Sequence, residues 1–196
     1  MEEKFPLDVS LVEELANQPL LAAYLEMNHL KRLFRQGWLQ AGVPREYCES
    51  VAEHVFGMTL LAWMVVESGL VADVNRDRVM QMTLVHEIGE IYTGDITPGD
   101  GVAVDEKHRR EREGVLQVTN RLPNGAEWMA LWEEFEAGET NEARLVRQLD
   151  RLEMALQAWV YEKQLGMNLE GFFQSAERAV NSPELKDMLK IIGNLR

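Results

Sequence analysis

The chain has 196 residues, a formal net charge of −13 and a single cysteine, Cys48, with 46% hydrophobic and 27% charged residues. That length fits one domain with a sizeable core, and one thiol excludes a disulfide within the chain. The acidic balance excludes general binding to nucleic acid or to an anionic membrane, both of which need positive charge. The longest apolar run, Leu60 to Val66, is far short of the ~20 residues of a membrane helix. The acidic start Met1-Glu2-Glu3-Lys4 is followed by no apolar run of signal-peptide type, and a cytoplasmic protein is expected.

Taken in order, Ser10-Leu11-Val12-Glu13 has the capping-box spacing and predicts a first helix. A second is predicted from Leu20 to about Phe34. Arg32, Arg35, Gly37 and Trp38 follow. Two arginines and a tryptophan beside a glycine could suit an anion and a ring, but the residues alone favour reading Arg35 as the solvated basic end of a helix. Gly42-Val43-Pro44 breaks the chain. Ser50 to Glu53 is a second capping box, which gives Glu53 a structural task. Val51, Val55, Met58, Ala62 and Val65 then recur at helical spacing as a core stripe, with His54 beside it. Gly69 ends that helix and Asn75 caps the next, which is expected to run into His86-Glu87.

An irregular loop follows Asp95, through Thr97-Pro98-Gly99. The charged run Glu106 to Glu111 opens a helix and reads as a solvated face. Pro123-Asn124-Gly125 is a turn, and Trp128, Leu131, Trp132 and Phe135 form an apolar face. Leu145, Leu149, Leu152, Leu156 and Trp159 recur in steps of four and three, marking a deeply buried helix. Asp150 lies at the edge of that stripe and needs a partner, either an arginine or a metal. Asn168 and Ser182-Pro183 start two final helices. With few alternating runs, the expected fold is all-α, with roughly eight helices in one domain over 1–196.

The chemistry concentrates in Leu84 to Asp95, where His86, Glu87, Glu90 and Asp95 stand on a background of Leu, Val and Ile. On a continuous helix His86 and Glu90 share one face, and Glu87 and Glu90 are neighbours. Imidazole and carboxylate suit Mn, Fe, Co, Ni or Zn, and Glu90 is left as a general acid or base. A satisfied histidine on a helix with an acidic face is the other reading. The stretch also approaches the H-E-x-x-H pattern, but Glu90 stands where its second histidine belongs.

His54, His86, Glu87 and Asp150 together give the order His, His-acid, Asp on three separated helices. This resembles the HD-domain metal-dependent phosphohydrolases. Leu30-Lys31-Arg32 with Arg35 and Gly37-Trp38, Glu49 through His54, Leu84 through Pro98, Glu106 through Glu111 and Gln148-Leu149-Asp150 are similar to the 5′-deoxynucleotidase branch of that family. The resemblance runs from about residue 25 to 173. It implies an all-α HD-domain bundle and a metal-dependent phosphomonoesterase that removes the 5′-phosphate of deoxynucleoside monophosphates. It also implies one divalent transition metal ion held by His54, His86, Glu87 and Asp150. By the same resemblance Glu90 helps activate the attacking water and Arg35 holds the phosphate. Asp95 hydrogen-bonds the sugar hydroxyl, Trp38 crowds the 2′ position, and the chain forms a homodimer. A phosphodiesterase, a nucleoside-triphosphate hydrolase, a non-catalytic HD domain binding a nucleotide or partner, and a metal-free helical interaction module are the alternatives. One departure stands out: the family's HD aspartate is Glu87 here, longer by one C–C bond, ~1.5 Å.

Overall fold

In the computed structural model, which describes residues 2–196, the helices follow from caps, glycine exits and apolar stripes. They are α1 (Val9–Glu14), α2 (Pro19–Met27), α3 (Gln36–Gln40), α4 (Val51–Glu67), α5 (Arg76–Val85), α6 (Glu90–Thr93), α7 (Val104–Thr119), α8 (Gly125–Ala137), α9 (Asn141–Leu165), α10 (Glu170–Ala179) and α11 (Pro183–Asn194). Short 3-10 turns lie at Asn28–Lys31 and Pro98–Asp100. Pairing of β type among the described residues is confined to two isolated bridges, Glu3 with Leu33 and Phe34 with Ser50. The all-α expectation holds. The count exceeds eight because α3 and α6 are short helices, of five and four residues, whose sequences carry no periodic signal.

Three local expectations are corrected. Asp8, not Ser10, caps α1, its carboxylate accepting from the Ser10 N–H at 3.0 Å. The second helix ends at Met27 and tightens into a 3-10 turn instead of reaching Phe34. The third correction matters most: α5 stops at Val85 and α6 starts at Glu90, so His86 to Gly89 form a turn. The shared helical face predicted for His86 and Glu90 does not exist. Elsewhere Ser50 and Glu53 do form the predicted box, with the Ser50 N–H donating to Glu53 at 2.6 Å and the Glu53 N–H to Ser50 Oγ at 3.3 Å. Asn75 Oδ1 accepts from the Arg78 N–H at 3.1 Å, as an N-cap should.

Two compact units divide the described chain, and neither is continuous in sequence. The first comprises the residues up to Glu53 together with Val85–Glu133. In it α2 and α6 pack on α7. The Glu26 carboxylate, buried, accepts from Tyr92 of α6 and from Arg121 Nε at 3.0 Å. The turn before α6 lies hard against α7. A Cβ on Gly89 would meet Glu111 Cβ at 2.7 Å, and one on Gly114 would meet the Gly89 carbonyl oxygen at 2.8 Å. Both positions need glycine for lack of space. The segments around Phe34 and Ser50 run side by side, with the Arg35 N–H donating to the Glu49 carbonyl at 3.0 Å and the Val51 N–H to Leu33 at 2.9 Å.

The second unit comprises His54–Leu84 and Glu134–Arg196. Its axis is the 25-residue α9, against which α10 and α11 pack. Thr140 caps its start and Gly166, in the left-handed region, its end. Leu145, Leu149 and Leu152 are buried along it and Val55, Met58, Ala62 and Val65 along α4, as the stripes predicted, whereas Leu156 and Trp159 are only half-buried and Ala155 and Ala158 take the buried positions of α9 instead. The N-terminus of α11 is Ser182 followed by Pro183, also as expected. Among the described residues no helix is long and apolar enough to cross a membrane.

Candidate active site

In the second unit α4 and α9 bring His54 and Asp150 together. His54 is 0% exposed, and its Nε2 lies 3.2 Å from Asp150 Oδ1. Its Nδ1 lies 2.6 Å from Glu153 Oε2. Asp150 and Glu153 are three apart on α9 and so project from one face. A carboxylate on one ring nitrogen fixes the tautomer and orientation of a histidine whose other nitrogen is a ligand. Glu153 therefore gives His54 the arrangement expected of a metal-binding imidazole. The sequence reading missed Glu153, although its spacing from Asp150 is a legible signal. Gly57 leaves room for it: a Cβ there would meet Glu153 Oε1 at 2.9 Å. Asp150 thus has the partners that its edge position required: Arg151, whose Nε lies 3.6 Å from its Oδ2, and His54.

The first unit gathers Arg35, His86, Glu87, Glu90 and Asp95. Because His86 and Glu87 sit in the turn between α5 and α6, adjacent side chains converge. His86 Nε2 lies 3.6 Å from Glu87 Oε1. The same carboxylate oxygen lies 3.0 Å from Arg35 Nη1. Arg35 is therefore neither a solvated residue nor a helix C-terminus: it precedes α3 and its guanidinium is largely shielded. Asp95, just past the Gly94 exit, accepts the Gln36 N–H at 2.7 Å. It thus supplies the N-terminal cap of α3 from a distance, since Arg35 at the cap position makes no side-chain cap. Trp38 is 1% exposed and its indole N–H donates to Glu49 at 2.8 Å.

Glu90 opens α6 at 3% exposure, and its Oε2 is buried with no hydrogen-bond partner among the described residues. Burial pushes its carboxyl well above the usual carboxylate range. Glu87 and Asp95 push in the same direction, while Arg35 and Lys107 oppose. A carboxyl shifted this way can hand protons over near neutral pH. Lys107, counted in the sequence only as part of a solvated run, belongs here. Its Nζ donates to the Ile96 carbonyl at 2.9 Å and lies 3.4 Å from Glu111. Burial disfavours its charge, but Glu111, Glu90, Glu87 and Asp95 outweigh that and hold its pKa above the ordinary lysine value. Of that run only Arg109 and Arg110 are exposed as expected, both pairing with Glu106 and Arg109 also with Glu113, whereas Glu111 is buried and His108 stacks on Trp132.

Each unit thus offers an imidazole beside a carboxylate, His54 with Asp150 in the second and His86 with Glu87 in the first, and these donor types suit a divalent metal ion. The Glu153 carboxylate behind His54 and the shielding of every member fit such an ion better than they fit a packed helical core.

Comparison with known proteins agrees with this chemistry. The family model for the HD domain matches residues 27–191. A human protein named 5′-deoxynucleotidase HDDC2 is 38% identical over 167 residues, which is 83% of this chain and 79% of that protein. Its counterpart in Danio rerio is 37% identical, covering 87% of this chain and 84% of that protein. Among solved structures, one described as a predicted metal-dependent phosphohydrolase from Magnetospirillum magnetotacticum superposes with a TM-score of 0.70 at 30% identity. It covers 93% of each chain. The PH0347 protein of Pyrococcus horikoshii gives a TM-score of 0.75 at 30% identity, covering 90% of this chain and 99% of that one. The chain belongs to the HD-domain family, in the branch that holds the curated 5′-deoxynucleotidases.

Proposed function

We propose that this protein is a metal-dependent 5′-deoxynucleotidase, converting a deoxynucleoside monophosphate and water to the deoxynucleoside and phosphate. The observation that carries the reading is Glu90: a buried carboxyl with a raised pKa, in the same unit as a shielded arginine and a histidine-carboxylate pair. Kinship to the curated 5′-deoxynucleotidases supports the substrate class.

In this reading His54, His86, Glu87 and Asp150 hold one divalent transition metal ion, of Co, Mn, Zn, Fe or Ni type. Such an ion lowers the pKa of water and neutralises charge on phosphoryl oxygens. Arg35 holds the phosphate through a charge-assisted, bidentate contact. Glu90 takes a proton from the attacking water and returns it to the leaving 5′-oxygen as the P–O bond breaks. Asp95, held still by the Gln36 N–H, orients the sugar through its hydroxyl. Trp38, fixed by Glu49, closes the space beside the 2′ carbon against a ribose.

Residues 1–196 act as one domain in this reading, because both compact units are interrupted in sequence and the family match runs through both. A cytoplasmic location agrees with the single buried thiol. A homodimer is proposed on the outer face of α4. Phe56, Leu60, Trp63 and Met64 are exposed there, Phe56 at 71% and Trp63 at 56%, and residues 54–66 carry no acidic or basic side chain other than His54. Two copies each carrying −13 meet least repulsion through an uncharged, self-complementary face.

The test is phosphate release from dAMP and from AMP by chelator-treated protein given Co, Mn or Mg, beside a Glu90→Ala control. Metal-dependent release from dAMP, absent from AMP and from the control, is expected. No release with any ion rejects the reading.

A further inference from the structure

The contact that the family pattern does not anticipate is the one between Glu87 and Arg35. A single oxygen, Glu87 Oε1, lies 3.0 Å from the Arg35 guanidinium and 3.6 Å from His86 Nε2. Side-chain length makes this possible. An aspartate at position 87 would be ~1.5 Å shorter, and the 3.0 Å contact would open beyond hydrogen-bonding range. Both partners are largely shielded from solvent, so their attraction is weakly screened. The reading above gives these residues separate tasks, Arg35 with phosphate and Glu87 with metal. The geometry gives them to each other.

We propose that Glu87 is a shared carboxylate that couples the metal to the phosphate-holding arginine. Its oxygen serves either Arg35 or the ion at full strength, not both. Ion capture draws Glu87 away and leaves the guanidinium to a phosphate; phosphate capture by Arg35 releases Glu87 to the ion. By linkage each ligand raises the affinity for the other by the same factor. Replacing the family's aspartate with glutamate thus builds a device that keeps Arg35 neutralised until either ligand displaces the contact and so prepares the site for the other. The proposal rests on the roles given above to Arg35 and Glu87.

The test is a double-mutant cycle in the full-length protein, read by Mn2+ affinity and by the affinity of inorganic phosphate, with circular dichroism confirming the fold. Arg35→Ala is expected to tighten Mn2+ about tenfold when Glu87 is present and to have little effect in the Glu87→Gln background. Simple repulsion between guanidinium and ion would act in both backgrounds, and an equal effect in both overturns the proposal. Before Mn2+ is added, Glu87→Gln is expected to tighten phosphate about tenfold, but only while Arg35 remains. An unchanged phosphate affinity overturns the proposal too, and serves if Glu87→Gln binds no Mn2+. Binding of dAMP to Mn2+-loaded Arg35→Ala protein separates the premises: undiminished binding rejects Arg35 as the phosphate group, while diminished binding with no cycle effect rejects the sharing alone.

Discussion

His54 Nδ1 stands 2.6 Å from the Glu153 carboxylate inside a core where the histidine has no solvent exposure. The contact orients the ring so that Nε2 faces Asp150. A carboxylate that orients a ligating histidine in this way typically changes metal affinity 10–100-fold. Glu153→Ala is therefore expected to weaken metal binding by about one to two orders of magnitude. Calorimetric titration of the ion reads this directly, and unchanged affinity would assign Glu153 to packing.

Glu90 makes the site costly to the fold. Its carboxyl has a raised pKa in the folded chain because burial, Glu87 and Asp95 disfavour the charge. The folded state then binds its proton more tightly than the unfolded chain does. The penalty is absent below the ordinary carboxylate pKa and fully present above the raised one. Glu90→Gln should abolish turnover yet raise the Tm of chelator-treated protein at pH 8, with no gain near pH 4. A lower Tm at pH 8 would sink this account.

Gly114 supports the turn that carries His86 and Glu87. A methyl group there would meet the Gly89 carbonyl oxygen at 2.8 Å, and backbone yields little. Gly114→Ala is expected to cost about 1–3 kcal/mol of stability and to lower activity by displacing the turn. Urea unfolding, with dAMP turnover measured well below the transition, reads both effects.

Cys48 is buried, and its thiol is pushed up to about 12 by burial, with Glu49 and Asp95 adding to the shift. The thiolate is the reactive form. A chromogenic disulfide reagent at pH 8 should leave native protein unlabelled and label it once in denaturant. Rapid labelling of the native state would contradict the burial.

The uncharged face of α4 can be broken by one charge. Trp63→Glu is expected to convert a dimer to a monomer in light scattering while leaving the fold intact. A wild type that runs as a monomer at high concentration would remove the dimer.

Much of this protein is legible in its sequence because the signals are local. The stripes of α4 and α9 set the helical period, Ser50 and Glu53 cap one helix, and Asn75 caps another. His86, Glu87 and Glu90 suggest metal and acid-base chemistry by type, since carboxylates on apolar backgrounds need a reason, while His54 and Asp150 join them only through the resemblance to the HD-domain family. The turn at His86 to Gly89 was not legible, because Gly89 and Gly114 permit a close crossing between segments 25 residues apart in sequence, which no helical period records. Nor were the pairings. Only tertiary contact puts Glu153 behind His54, the Gln36 amide on Asp95, Lys107 under the loop at Ile96, and Glu87 on Arg35. Residue types and spacing fixed which groups carry charge and protons. Which group neutralises which depends on distances of about 3 Å between residues far apart in the chain, and these distances exist only once the chain has folded.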